Sequence, residues 1–386
     1  MDYYKKALEL HEENMGKWAV SSKVPLNDRD DLSTAYTPGV AQPCREIEKD
    51  YENIYRYTSK QNTVAVITDG SAVLGLGNIG ADASIPVMEG KAVLFKGFAG
   101  IDALPICIKT QDVDEFCNIV KNISSTFGGI NLEDISAPRC FEIENRLKRE
   151  LNIPVFHDDQ HGTAVVVSAA AINALKLIGK KMEDCTAVIA GAGAAGTAIA
   201  RMLVNLGIKD ILVCGRDGII CSSSPRLNDA KRDLLKVVNR EDRSGSIHDA
   251  MEGADIFIGV SAPKLITADD VRKMADSPVV FAMSNPEPEI MPDEAVRGGA
   301  AIIGTGRSDF NNQINNVLAF PGIFRGALDA RAEQITEEMK VAAAYALAGF
   351  VSEEELCPEK ILPNAFEEGI ADAVAKAVAD AWINRK

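Results

Sequence analysis

The sequence predicts an α/β protein with three parts: an N-terminal α/β domain, a dinucleotide-binding domain and a helical tail. Three observations carry that prediction. Short apolar runs alternate with helix-length segments along most of the chain. A glycine loop, Gly191–Gly196, stands between one such run and one such segment. An acid- and histidine-rich stretch, HDDQH at 157–161, falls where an apolar run (153–156) stops and a long apolar segment begins. Ligands in open α/β sheets bind beyond the carboxyl ends of the strands, so this junction marks a site.

Taken in order, residues 2–16 read as a helix closing near Gly16, and 17–44 as irregular and rich in turn formers. Thr37-Pro38-Gly39 is a turn: proline presets one backbone angle and glycine accepts the positive φ that follows. Tyr36 just before it reads, on the residues alone, as a tyrosine packed against a loop. Residues 62–68 are a buried strand. Lys91 opens another apolar run, and 101–108 continues the alternation. Helices are expected over 112–126 and 138–151. A more regular rhythm then begins: helix 164–178, strand 186–190, glycine loop, helix to 206 and strand 210–214. An irregular stretch (215–246) is followed by short strands at 256–260, 279–282 and 301–304, and by tail helices over 326–350 and 364–384.

The balance of 41 basic against 56 acidic residues leaves a formal charge of −15. That excludes sequence-independent nucleic-acid binding, which needs clustered cations against phosphate, and disfavours an anionic membrane surface. The N-terminus carries acids early and has no basic start followed by an apolar core, so no signal peptide is expected. No run is read as a membrane span. The eight cysteines are scattered without a C-x-x-C, which suits reduced thiols in the cytoplasm.

The pattern G-x-G-x-x-G occurs twice, at Gly75, Gly77, Gly80 and at Gly191, Gly193, Gly196. It signifies a dinucleotide site only where it follows a strand and opens a helix. The second copy does so, and the helix N-terminus offers free N–H groups and a positive dipole end to a pyrophosphate. Gly191, Gly193, Ala194, Ala195 and Gly196 are therefore expected at the cofactor, in a Rossmann-type domain. The first copy runs into Pro86 and is read as a tight loop lining a site. An acid about 20 residues beyond the glycines would hold the adenine ribose. Here the strand end reads Val213-Cys214-Gly215-Arg216-Asp217, and the acid's position falls on Gly215. Loss of a carboxylate and gain of the Arg216 guanidinium favour NADP, with NAD possible, since a shift of register brings in Asp217.

Glu133, Asp134 and Asp159, with Asp158 beside the last, are hard oxygen ligands at the ends of expected elements. Carboxylates without a nearby cysteine suit Mg2+ or Mn2+ better than zinc. Zinc would call on His157 and His161. Each acid alone is as readily a solvated turn residue; the two clusters matter because a cofactor loop accompanies them.

At this point a family resemblance enters. YTPGVA (36–41), DGSAVLGLGNIG (69–80), GKAVLFKGFAGID (90–102), GGINLEDI (128–135), VFHDDQHGTA (155–164), GAGAAG (191–196), MSNPEPE (283–289) and NNVLAFPGIFRGAL (315–328) together resemble malic enzyme of the short prokaryotic type. The resemblance implies metal-dependent oxidative decarboxylation of L-malate to pyruvate and CO2 with reduction of NAD(P)+, in a homodimer. It implies Lys91 as general base, with a lysine pKa lowered by the metal, and Tyr36 as general acid. It makes Glu133, Asp134 and Asp159 metal ligands, and places Asn285 and Asn316 at the substrate and nicotinamide. It divides the chain into 1–158, 159–315 and 316–386, the last packing back on the first. One departure stands out: larger members carry an arginine after the first Asp-Gly, where this chain has Ser71-Ala72. The loop amides around 71–77 are the expected replacement. The rival readings are a metal-independent amino-acid dehydrogenase of two α/β domains and a non-catalytic NADP sensor.

Overall fold

The structure, a computed structural model, describes residues 3–73 and 75–385; Asp2 of the expected first helix and Leu74 of the first glycine loop lie outside them. Four short helices come first: α1 (Tyr3–Asn14), α2 (Arg29–Ala35), α3 (Ala41–Lys49) and α4 (Asn53–Tyr57). The first sheet follows as β1 (Thr63–Thr68), α5 (Gly80–Ala99), β2 (Asp102–Cys107), α6 (Val113–Ile123), β3 (Gly129–Leu132), α7 (Arg139–Glu150) and β4 (Val155–His157). Its strands are all parallel, in the order β2-β1-β3-β4.

β4 passes without a turn into α8 (Asp158–Ile178). The expected helix at 164–178 therefore starts six residues earlier: of the polar stretch read as a turn, His157 ends β4 and Asp158–His161 form the first turn of α8. Asp158 and Asp159 are favourable there because the helix dipole stabilises carboxylates at its N-terminus. α8 is long and apolar enough to cross a membrane by length and composition, but it is mostly buried inside this fold.

The second sheet is built from β5 (Thr186–Ala190), α9 (Ala194–Asn205), β6 (Asp210–Gly215), β7 (Gly218–Ile219), α10 (Asp229–Leu234), α11 (Ile247–Ala250), β8 (Ile256–Gly259), α12 (Ala268–Arg272), β9 (Val279–Ala282), α13 (Pro292–Gly298) and β10 (Ile302–Thr305). The order is β10-β9-β8-β5-β6-β7, parallel except for the β6–β7 ribbon. Strand order reverses at β5, between β6 and β8, and the loop after β5 opens at this switch point. Three tail helices close the chain: α14 (Phe320–Asp329), α15 (Glu337–Phe350) and α16 (Ile370–Ile383). The single helix expected over 326–350 is interrupted because Arg331 takes a left-handed φ of 48° and Thr336 caps a new start.

One apolar core runs from the inner face of the first sheet through α8 to the second sheet and the tail helices. The Phe95 ring of α5 meets Phe320 and Phe324 of α14 edge-on, at 4.7 and 5.3 Å, so the tail docks on the first sheet's helix. Separate cores fill the outer faces, under α6–α7 and under α11–α13.

α5 corrects the reading of the first glycine copy. It is a 20-residue helix with Pro86 inside, so the first copy does open a helix, and the apolar run that Lys91 opens is its second half. An interior proline costs about 3 kcal/mol. The helix survives because Ala81, Ser84, Met88, Lys91, Ala92 and Phe95 form one buried row, and burying Met88 and Phe95 contributes roughly 1.5–3 kcal/mol each.

Candidate active site

The carboxyl ends of β1, β3 and β4 face the start of α8, and this geometry gathers the acids. Glu133 and Asp134 directly follow β3; Asp158 and Asp159 open α8. Asp134 takes a left-handed φ of 54°, and its N–H donates to Asp159 Oδ2 at 2.8 Å. One carboxylate oxygen from each of Glu133, Asp134 and Asp159 lies within 4.8 Å of the other two. Asp134 Oδ2 is buried without a hydrogen-bond partner. Three crowded carboxylates with an unpartnered buried oxygen are the donor set of a hard divalent cation such as Mg2+ or Mn2+.

Lys91 reaches the same place from α5. Its Nζ is 2.7 Å from Asp158 Oδ2 and 3.0 Å from Glu133 Oε1, and it lies 4.3 Å from the centre of the Phe320 ring. Lys91 is buried. Burial favours the neutral amine, but the charges of Asp158 and Glu133 override it and hold the ammonium above its ordinary pKa. With the protein's own charges alone the shift is thus opposite to the lowering expected of a base. The acids shift upward too. Burial, opposed by Lys91 and reinforced by Glu133, pushes Asp158 to about 7. Burial plus the charges of Asp159 and Glu133 pushes Asp134 to about 9. Burial, set against Lys91, moves Asp159 to about 6. Such a set holds more negative charge than one lysine balances.

Asp158 was ranked behind Asp159 from sequence, but it is the acid that grips Lys91. Adjacent helical residues point about 100° apart, so one turns to α5 and the other to Asp134. Neither histidine joins the ligand set. Both His157 ring nitrogens lack a hydrogen-bond partner, and burial lowers its pKa. His161 Nε2 pairs with Glu144 at about 3 Å, and its Nδ1 faces Lys340 Nζ at 3.1 Å. Burial drives the His161 imidazole down to about 4 against the pull of Glu144, so a neutral ring bridges that carboxylate and that ammonium. Glu144 also accepts the His157 N–H and pairs with Lys148, which ties α7 to the β4–α8 junction. Glu144, Lys148 and Lys340 were missed; no sequence spacing links α7, α8 and α15.

Asn316 packs against the start of α8. A Cβ added at Gly162 would lie 3.2 Å from Asn316 Cβ and 1.8 Å from Asp158 Oδ1, so only glycine fits there. The Asn285 backbone borders the first glycine loop, 3.7 Å from a Cβ placed on Gly75. Tyr36 lies elsewhere. It caps α2, is 66% exposed, and its hydroxyl makes no hydrogen bond among the described residues.

Five of the loop amides expected to replace the missing arginine are occupied among the described residues. Ser71 N donates to Asp69 Oδ1, Ala72 N to Asp134 O, Val73 N to Gly77 O, and Leu76 and Gly77 N to Val73 O. These five stabilise the loop and are not free for a carboxylate. Arg139, unremarked in the sequence, pairs with buried Asp69 at 2.8 Å and donates to Ser71 Oγ at 2.9 Å, bracing the same loop.

The second glycine loop forms a cradle that side chains would fill. A Cβ on Gly196 would stand 1.8 Å from Gly191 O, and one on Gly191 would stand 2.7 Å from Val260 O. Ala194 and Ala195 begin α9, and a cleft of about 1110 Å³ opens in front of them. Gly191, Gly193, Gly215 and Arg216 line it, as do Arg226 and Lys231. These glycines and the α9 N-terminus fit a dinucleotide's pyrophosphate.

Comparison with known proteins decides the family. The model of the malic enzyme N-terminal domain matches residues 15–148, and that of the malic enzyme NAD binding domain matches residues 160–383. The chain belongs to the malic enzyme family. It is 56% identical to a bifunctional malic/malolactic enzyme of Bacillus subtilis, over 99% of this chain and 93% of that one. An NADP-dependent malic enzyme of Escherichia coli is 49% identical over 97% of this chain, which spans about half (52%) of that longer protein. Among solved structures, an NAD-dependent malic enzyme from Thermotoga maritima superposes with a TM-score of 0.93 at 50% identity, covering 97% of this chain and 98% of that one. The α/β architecture with a Rossmann-type half is therefore that of the malic enzyme family, and the NAD(P)-binding part lies in the second sheet.

Proposed function

We propose that this chain oxidises and decarboxylates L-malate to pyruvate and CO2, reducing NADP+ in preference to NAD+. The observation that carries this reading is Lys91 Nζ within 3.0 Å of both Asp158 and Glu133, beside a three-carboxylate cluster. Glu133, Asp134 and Asp159 would hold Mg2+ or Mn2+. When bound, that ion supplies positive charge that polarises the C2 oxygen of the substrate and eases proton loss from Lys91.

In this reading Lys91 takes the C2 hydroxyl proton as the C2 hydride leaves for the nicotinamide. The C3–C4 bond then breaks, CO2 departs, and its electron pair moves toward the C2 oxygen. C3 then takes a proton, completing the pyruvate methyl group, and the family resemblance assigns that proton to the Tyr36 phenol. Asp158 keeps Lys91 aimed at the substrate, and the Phe320 ring covers the ammonium from solvent. Asn285 and Asn316 are the proposed substrate contacts, flanking the site from the second sheet and the tail.

The preference for NADP rests on the end of β6. Gly215 brings no carboxylate, while Arg216, Arg226 and Lys231 line the cleft. Asp217 is drawn toward Arg226, 3.4 Å away, so it does not offer a free acid to a ribose. All eight cysteines are free, which supports a reducing, cytoplasmic setting.

The test is turnover of malate with NADP+ and NAD+ after dialysis against EDTA, with and without Mn2+, measuring pyruvate as well as reduced cofactor. Equal amounts of both products, dependent on Mn2+ and faster with NADP+, are expected. Activity indifferent to EDTA would favour the metal-independent dehydrogenase reading, and cofactor binding without turnover would favour the sensor.

A further inference from the structure

The cofactor cleft has a histidine in its wall. His248 stands in the first turn of α11, next to Ile247, with half of its side chain exposed. Its ring is held from behind. Nδ1 lies 2.9 Å from Oδ1 of Asp270, a carboxylate almost wholly buried in the first turn of α12. Oδ2 of that carboxylate accepts the N–H and the hydroxyl of Thr267, each at 2.9 Å. Burial pushes the Asp270 carboxyl up, but the two Thr267 bonds and the His248 ring outweigh it and keep the group below its ordinary pKa. A carboxylate only accepts, so Nδ1 must carry the proton that joins them. Nε2, the other ring nitrogen, has no hydrogen-bond partner among the described residues.

α11 lies against the element that carries Arg216. The Gly245 carbonyl, just before the Ser246 cap, accepts the Ile219 N–H at 2.8 Å, and a Cβ on Gly218 would stand 2.1 Å from the same oxygen. The start of α11 is therefore pressed onto the β6–β7 ribbon, whose turn is Arg216-Asp217.

Charge around the cleft is sorted. The chain has a net charge of −15, yet three cations, Arg216, Arg226 and Lys231, line the cleft against one acid, Asp217. Arg226 takes up Asp217 at 3.4 Å, and Ser246 takes up Asp249 of α11 through its N–H and hydroxyl, at 2.7 Å each. Among the described residues Arg216 has no ion pair or hydrogen bond. A free ribose hydroxyl at this place is held by an acid. A free guanidinium and a histidine backed by a carboxylate are instead donors for an anion.

We propose that His248, aimed by Asp270, donates from Nε2 to the 2′-phosphate of NADP+ and shares that phosphate with Arg216. The assignment rests on the NADP preference proposed above. A ring that donates to a carboxylate at Nδ1 and to a phosphate at Nε2 carries both N–H groups and a positive charge. His248 touches the cofactor; Asp270 is a positioning residue that acts through it, fixing which edge of the ring meets the cleft.

Two nucleotides that differ by one group test this without turnover. Adenosine 2′,5′-bisphosphate carries the 2′-phosphate, and 5′-AMP lacks it. Calorimetric titration of the full chain gives both dissociation constants, and their ratio reads the 2′-phosphate contact alone. The wild type should bind the bisphosphate more tightly. His248→Ala should shrink the ratio about 10-fold, the worth of one charge-assisted hydrogen bond, and leave 5′-AMP affinity unchanged. The half-exposed side chain makes this variant safe for the fold. Asp270→Asn should shrink the ratio in the wild-type background and leave it unchanged where His248 is already alanine, because its partner is then gone. A ratio untouched by His248→Ala overturns the assignment. Equal losses for both nucleotides overturn it as well, by placing His248 at the adenine. A loss from Asp270→Asn that persists in the His248→Ala background overturns the positioning role. A wild type that binds the two nucleotides alike contradicts the NADP preference itself, and the phosphate site with it.

Discussion

The molecule uses G-x-G-x-x-G twice, and the two copies differ in why they need glycine. In the second, between β5 and α9, the need is steric: a methyl group on Gly196 would overlap the Gly191 carbonyl at 1.8 Å. In the first, before α5, a Cβ on Gly77 or Gly80 meets nothing within 4 Å, and what matters is a left-handed backbone, with φ of 74° and 76°. The second loop is a tight strand-to-helix turn that presents amides to a phosphate. The first is a longer loop in which the amides of Ser71, Ala72, Val73, Leu76 and Gly77 are already bonded within the protein, and its helix delivers a lysine midway along. The shared pattern marks a strand-to-helix turn in both sheets; the residues that follow decide whether it binds a nucleotide or builds a reaction site.

The sharpest way to separate the two loops is through what each helix carries. Lys91→Ala should lower malate turnover about 10²–10⁴-fold, the range for a lost general base, while the dissociation constant for NADP+ from fluorescence titration stays within a few-fold. A parallel loss of cofactor affinity would contradict the division of labour. Next in size, Gly196→Ala should weaken NADP+ binding by at least about 100-fold, roughly 3 kcal/mol, because the loop must move to admit the methyl group. Gly77→Ala should cost only about 1–3 kcal/mol of stability from backbone strain and leave NADP+ affinity unchanged. Equal effects on cofactor affinity would remove the contrast.

Smaller still, Arg216→Ser should lower kcat/KM for NADP+ about 10–100-fold, in line with a lost charge-assisted hydrogen bond, and leave NAD+ little changed. An unaltered ratio of the two would move the specificity to Arg226 and Lys231.

The smallest effect concerns the anchor of the N-terminal segment. Burial raises the Asp102 carboxyl, but hydrogen bonds from Lys23, Lys96 and Asn62 overcome it and hold the group at about 2. A carboxyl depressed on folding adds stability above its unfolded pKa of about 3.9, and that stability is lost as pH falls toward 2. Both lysines are largely exposed, so the gain is at most about 1 kcal/mol. Asp102→Asn should therefore lower the melting temperature slightly at pH 7 and not at all near pH 2. The same deficit at both pH values would mean that Asp102 acts through packing.

Much of this was legible in the residues. The strand at Thr186–Ala190, the glycine loop and the helix after it follow from local pattern alone. So did the gathering of Glu133, Asp134 and Asp159, because acids after strand ends have one place to point in a parallel sheet. α5 was hidden by Pro86 and by a continuous apolar run, AVLF after Lys91, that resembles a buried strand; the buried row from Ala81 to Phe95 was the signal available. The respective roles of Asp158 and Asp159 were not legible, since they depend on the rotation of α8 about its axis. Nor was the exposure of Tyr36, because its motif identifies a role and says nothing of which surface the N-terminal segment faces.

The central claim is that the carboxylates beside Lys91 form a divalent-cation site, and direct Mn2+ binding tests it without reference to turnover. Electron paramagnetic resonance titration of the wild type should show one bound Mn2+ per chain, and Asp159→Asn should weaken that binding at least about 10-fold, some 1.4 kcal/mol, with NADP+ affinity unchanged. Mn2+ binding of undiminished strength in Asp159→Asn would contradict the account.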